Sequence, residues 1–208
     1  MDTFYFKKDK NLFCGIDYSL SSPAISLIKI DNVTKEESIE IHCVYKNKKH
    51  SCLEYLVEDD NLTIYFHWLK SSFDSSYEKI KILSDLFIPF IKKSDFIGME
   101  DYSFNSVGKV FGIAENSGYL KMLLFNSNKS FELFSPKTIK KFATGNGNAR
   151  KEDMILEFEK QTKKDIYSLL SIKDRTSLNS PITDIVDSFF VAKLLISEIN
   201  KQNSFTPS

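Results

Sequence analysis

Four acidic residues stand out by where they fall. Asp17 closes the apolar run Asn11–Asp17 (NLFCGID), and Glu100 closes the run that begins at Asp95 (DFIGME). Asp184 and Asp187 are three apart near the start of a long apolar stretch that opens SPITDIVDSFF at Ser180. Residues at that spacing share one face of a helix. A helix that is apolar nearly all round is a buried one, and buried carboxylates are costly unless paired or bound to a cation. Taken singly, each acid has an ordinary reading. Asp17 and Glu100 read as polar strand ends, and Asp184 and Asp187 suit the positive end of a helix dipole. Together they are an oxygen-only donor set with no histidine or cysteine cluster beside it, which favours a hard divalent cation such as Mg2+ or Mn2+. Two such ions about 4 Å apart would clamp the attacking and leaving oxygens of a phosphodiester during hydrolysis.

The elements that must position these acids follow from periodicity. Asn11–Asp17, Ala24–Ile30 and Ser38–Tyr45 read as three strands with short links, hence an antiparallel meander. Residues 46–74 read as an insertion or extended connection holding one short strand or helix, and His67 within it as a packing residue. Helical spacing runs from Tyr77 to Ile91, with Pro89 marking a stop or kink. The Glu100 strand comes next, then a helix over Val107–Asn126 in which Gly108, Gly112 and Gly118 imply close approach of another backbone. A fifth strand spans Ser130–Phe134, and short helices follow over Lys137–Phe142 and Glu152–Thr162. In the last helix Ser180 is expected as N-cap and Pro181 at the first helical position, with the end near Asn200 and a frayed tail over 201–208. The expected fold is a single α/β domain over residues 1–208: a mixed five-stranded sheet, three antiparallel strands and then parallel additions, with helices on both faces. Sites in such sheets form outside the carboxyl ends of the strands. If the Asp17 and Glu100 strands are parallel neighbours, their acids lie side by side there, and the last helix need only lay its N-terminal end over them.

A basic loop completes the set. Residues 137–151 carry Lys137, Lys140, Lys141, Arg150 and Lys151 and no acid. Gly145 and Gly147 would let backbone amides approach phosphate oxygens. Contacts of this kind position a nucleic acid without reading its sequence. Tyr102 and Phe104, just after Glu100, could stack on unpaired bases or cover the core.

Net charge is no guide to a nucleic-acid partner, because 28 basic residues balance 28 acidic ones. Any such partner must be met by a local patch. The three cysteines, Cys14, Cys43 and Cys52, lack C-x-x-C spacing, and two sit in apolar runs, as expected of buried thiols in a reducing compartment. The opening residues lack a signal-peptide layout, and no apolar run is long enough to span a membrane. A cytoplasmic protein with no membrane partner is expected.

Gly15-Ile16-Asp17, Met99-Glu100, Gly145-x-Gly147-x-Ala149-x-Lys151 and Asp184-x-x-Asp187-Ser188 resemble the motifs of RuvC-type Holliday-junction resolvases, within the ribonuclease H-like superfamily. The resemblance covers about residues 12–196 and is greatest to phage-borne members, which implies a bacterial cell as the setting and a phage as a source. It implies that Asp17, Glu100, Asp184 and Asp187 hold metal, with Lys140 and Lys151 near the scissile phosphate. Phe104, or Tyr102 in its place, would stand where the family carries an aromatic wedge. The first motif departs from the family pattern, since Tyr18-Ser19 and Ser22-Pro23 stand where Pro-Gly and Thr-Gly are usual.

The expected activity is therefore a metal-dependent endodeoxyribonuclease of the crossover-junction type, acting on four-way or other branched DNA. Symmetric cutting of a four-way junction needs two active sites, hence a two-fold homodimer, and the Val107–Asn126 helix is a plausible face for it. Three alternatives stand beside this reading. One is a nuclease of the same fold acting on RNA, RNA–DNA hybrid or flaps. Another is a non-catalytic branched-DNA-binding protein. The third, a phosphotransferase of the actin or sugar-kinase type, would need Gly and Thr where Ser19 and Ser21 stand.

Overall fold

The strand that ends in Asp17 lies inside the sheet, between one antiparallel and one parallel neighbour. The computed structural model describes residues 9–45, 55–69, 72–101, 110–176, 178 and 180–204. Among these, β1 (Lys10–Asp17), β2 (Ala24–Asp31) and β3 (Glu37–Tyr45) form the antiparallel meander that their alternation predicts. β1 is covered on both faces: Cys14 and Ile16 point to one side, Phe13 and Gly15 to the other. A strand covered on both faces reads as a continuous apolar run.

Two further strands extend this sheet where a connection was expected. β4 (Tyr55–Asp59) and β5 (Leu62–Trp68) form a hairpin, and β5 lies parallel to β3 from Ile39↔Leu62 to Tyr45↔Trp68. The reason is local. Leu62, Ile64 and Phe66 are buried against the core while Thr63, Tyr65 and His67 alternate with them, and Asp60 takes a positive φ of 50° at the turn. Lys164 bonds both Asp59 and Asp60 and pins that turn. His67 is indeed a packing residue. Its ring stacks on His42, whose Nδ1 lies 2.8 Å from His67 Nε2 and whose Nε2 lies 2.6 Å from Glu40. Burial, then His42, holds the His67 pKa down to about 4.

α1 (Ser76–Lys93) starts at Ser75, whose hydroxyl accepts from the Glu78 amide. Pro89 does not end this helix; it continues until Ser94 caps it. The loss of one backbone bond is outweighed by a buried stripe of Ile80, Leu83, Phe87 and Ile91, each worth roughly 1.5–3 kcal/mol. β6 (Phe96–Glu100) then runs parallel to β1, and β7 (Glu132–Phe134) runs parallel to β6. α2 (Val110–Asn126) lies between them in sequence. The sheet therefore has seven strands, not five, in the order β4-β5-β3-β2-β1-β6-β7.

The remaining helices are α3 (Pro136–Thr144), α4 (Lys151–Thr162), the short α5 (Ile166–Leu169) and α6 (Ile182–Ser204). α1 and α2 cover one face of the sheet, and α3, α4 and α6 the other. α6 begins one residue later than expected. The Ile185 amide bonds the Pro181 carbonyl, so Pro181 is the capping residue and Ser180 lies outside the helix. It also runs past Asn200 to Ser204, so the first half of the expected tail is helical, and residues 205–208 lie outside the described residues.

Three small residues seat α6. Ser26, Gly15 and Gly98 lie side by side across β2, β1 and β6. A Cβ on Gly15 would stand 2.4 Å from the Ser188 carbonyl oxygen, and one on Gly98 would press on Phe134, Leu195 and Val191. Ser26 donates to the Ser188 hydroxyl at 2.8 Å, because Ser188 already donates to the Ile185 carbonyl. Glycine thus permits a helix to lie directly on strand backbone. The α2 glycines do not share one role: Gly112 meets Leu20, Gly118 faces open space, and Gly108 lies outside the described residues.

Candidate active site

Register brings the first two acids together. Ile16 pairs with Met99 at the ends of parallel β1 and β6, so Asp17 and Glu100 are the next residues on neighbouring strands. Each lies two residues beyond a slot glycine, so each points to the face on which α6 lies. α6, seated in that slot, lowers its first two turns over them. One carboxylate oxygen each from Asp17, Glu100 and Asp187 lies within 4.8 Å of the others. This is the only such group among the described residues. Asp184 lies beside it but outside the group, 8% exposed, with Oδ2 3.0 Å from the Ser22 hydroxyl.

The electrostatics are those of charges crowded in a poorly solvated place. Burial raises the Asp17 carboxyl well above its ordinary value, and Glu100, Asp184 and Asp187 raise it further against the pull of Lys151. Burial and then Asp187 push Glu100 up to about 8, with Lys140 opposing. Burial and then Asp184 push Asp187 up to about 6, with Lys151 and Lys140 opposing. Asp184 is raised by burial and held back by the Ser180 and Ser22 hydroxyls, by its own backbone and by Lys151. Such a cluster ionises less readily than free carboxyls until a positive charge joins it. Convergent carboxylate oxygens with two lysines at the rim fit a hard divalent cation.

The basic segment is ordered by its own bonds. Gly145 caps α3 in the left-handed region, φ 80°, and donates its amide to the Lys141 carbonyl. Asn146 donates to the Thr144 hydroxyl, and Asn148 donates to the Asn146 side chain. The Ala149 amide meets the Asn146 carbonyl, and the Arg150 amide meets Asp153. Gly147 packs against Lys137, where a Cβ would stand 2.8 Å from Cγ. Five of the loop amides are thus committed inside the chain, and the expectation that the loop offers backbone donors to phosphate does not hold for them. What it presents is side chains. Lys141, Arg150 and Lys151 are exposed, and Lys140 is half-buried toward the acids. Tyr102 and Phe104 lie outside the described residues.

Two groupings at this site do not follow from the motifs, although some of their members do. One is the slot of Gly15, Gly98 and Ser26; its signal was present, since a glycine stands two residues before each strand-end acid. The other is the pair Ser22 and Ser180, whose hydroxyls lie 2.7 Å apart beside Asp184. Nothing local marks that pair, because its members are 158 residues apart.

No family model matches this sequence, and no curated protein matches it. Solved structures do. The Thermus thermophilus RuvC structure matches at a TM-score of 0.52 and 12% identity, covering 93% of this chain and 96% of that one. The T. thermophilus RuvC complex with Holliday junction substrate matches at 0.55 and 11%, with 93% and 96% covered. The complex of Fowlpox virus resolvase with substrate Holliday junction DNA matches at 0.50 and 16%, with 91% and 97% covered. The chain therefore has the ribonuclease H-like fold of RuvC-type resolvases over nearly its whole length. Among the described residues no helix is long and apolar enough to cross a membrane.

Proposed function

We propose that this protein is a divalent-metal-dependent endonuclease that hydrolyses phosphodiesters in branched DNA, four-way junctions first, as a two-fold homodimer. The observation that carries the reading is the meeting of Asp17, Glu100 and Asp187 at the carboxyl ends of β1 and β6, in a chain with the RuvC fold. Two solved structures of that fold are complexes with Holliday junction DNA, which supports the same substrate class here.

Asp17, Glu100 and Asp187, with Asp184 beside them, are the residues to hold Mg2+ or Mn2+, two ions per site. When bound, such ions activate water and stabilise the leaving oxygen of an in-line displacement. The chain's own residues do the rest. The acids would keep those ions at the ends of β1 and β6, so that the scissile phosphate meets cations there and not bare carboxylates. Lys140 and Lys151 offset the charge gathered on that phosphate and favour the ionised acids. Lys141 and Arg150 hold the flanking backbone, on a loop shaped by Gly145 and Gly147. Tyr102 and Phe104 are the aromatic candidates for unpaired bases.

The homodimer is assigned to α2. Phe111, Tyr119, Met122 and Phe125 are exposed within one arc of that helix, and apolar stripes of this kind mark interaction surfaces. A second copy placed there supplies the second cut.

The test is cleavage of labelled four-way junction, fork and linear duplex with Mg2+, Mn2+ or EDTA, comparing native protein with Asp187→Asn. Paired nicks in the four-way junction, absent with EDTA and in the variant, are the expected result. Forks cut equally well would broaden the substrate, and tight binding without cleavage would leave a binding protein.

A further inference from the structure

The four acids are not equivalent. Asp17, Glu100 and Asp187 converge, and Asp184 does not join them. What holds Asp184 apart comes from the loop between β1 and β2 and from the residues just before α6. The Ser22 hydroxyl lies 3.0 Å from Asp184 Oδ2 and 2.7 Å from the Ser180 hydroxyl. Ser22 is 5% exposed, and Asp184 is nearly as buried. A carboxylate in the first turn of a helix could otherwise rotate toward the neighbouring acids or outward. Here Oδ2 accepts from the Ser22 hydroxyl, and the Ser180 hydroxyl lies against Ser22 on its other side. Hydrogen bonds that orient a ligand in this way typically govern metal affinity about 10- to 100-fold.

We propose that Ser22, assisted by Ser180, is a positioning residue that keeps Asp184 apart, so that the acids form two unequal cation places. The first is made by Asp17, Glu100 and Asp187. The second depends on Asp184. This rests on the metal-dependent reading of the site given above.

The experiment is titration with Mn2+ alone, followed by calorimetry and by electron paramagnetic resonance to count bound ions, with melting curves as a check on folding. Native protein, Ser22→Ala, Ser22→Thr and Ser180→Ala are compared. The native protein is expected to show a tight and a weak class. Ser22→Ala is expected to weaken the weak class about 10- to 100-fold and leave the tight class within about twofold. Ser22→Thr, which keeps the hydroxyl, restores the weak class. Unchanged binding in Ser22→Ala, or equal weakening of both classes, overturns the proposal. If Ser22→Ala does not fold, Ser180→Ala decides, since that side chain is exposed and its loss must show the same selective weakening. Native protein that takes up no Mn2+ overturns the metal-dependent reading itself, a failure visible before any serine is changed.

Discussion

A methyl group on Gly15 would stand 2.3 Å from the backbone nitrogen of Ala192. The contact is between strand and helix main chain, so neither side can yield by turning a side chain. Gly15→Ala is therefore expected to cost about 3 kcal/mol or more and to lower the melting temperature by roughly 6–12 °C. It should also abolish activity in whatever folds, because lifting α6 separates Asp187 from Asp17. Thermal melting and junction cleavage on the same preparation check both parts.

Much of this arrangement was legible. Acid-terminated buried strands gave Asp17 and Glu100, helical spacing gave Asp184 and Asp187, and short links gave the meander. The β4–β5 hairpin was also readable, because Leu62, Ile64 and Phe66 alternate with Thr63, Tyr65 and His67. The expectation of one short strand or helix in residues 46–74 covers half of it, because the lysine-rich segment before the hairpin dominates the composition of that region. Pro89 signals a stop or kink, but the buried stripe from Ile80 to Ile91 carries α1 past it to Lys93. The Ser22–Ser180–Asp184 contact could not be read, since no periodicity links positions so far apart.

The crowded acids make the metal-free protein sensitive to pH. Carboxyls whose folded pKa is raised bind more protons folded than unfolded, so their contribution is fully present below the unfolded value and is lost as pH rises through the folded value. For Glu100 that window runs from 4.5 to about 8. Glu100→Gln is expected to raise the melting temperature of the metal-free protein by roughly 2–8 °C at pH 8 and by little at pH 4. Scans across that range in EDTA check it, and a variant less stable than native at pH 8 would contradict it.

Lys140 and Lys151 oppose the acids from α3 and from the first residue of α4. Lys151→Ala is expected to lower the rate of junction cleavage by about 100-fold. Lys141→Ala, at an exposed position, should weaken binding alike for every junction sequence and reduce the salt slope by about one. Single-turnover rates and binding at several salt concentrations separate the two effects.

Phe111 and Phe125 are the most exposed aromatic rings of the α2 stripe. Replacing both with lysine is expected to give a soluble monomer by light scattering. That monomer should nick a junction without pairing its cuts. A dimer that survives both changes would place the interface elsewhere.

The slot beneath α6 also shapes how such a chain can drift. Its glycines cannot change without disturbing the core, whereas the acids above them repel one another and cost the metal-free fold something to keep. Selection for stability alone would therefore discard the carboxylates and retain the glycines. A descendant freed from cutting DNA should keep Gly15 and Gly98 long after Glu100 and Asp187 have gone. Intact glycines would then mark the fold, and intact acids the continuing demand for chemistry.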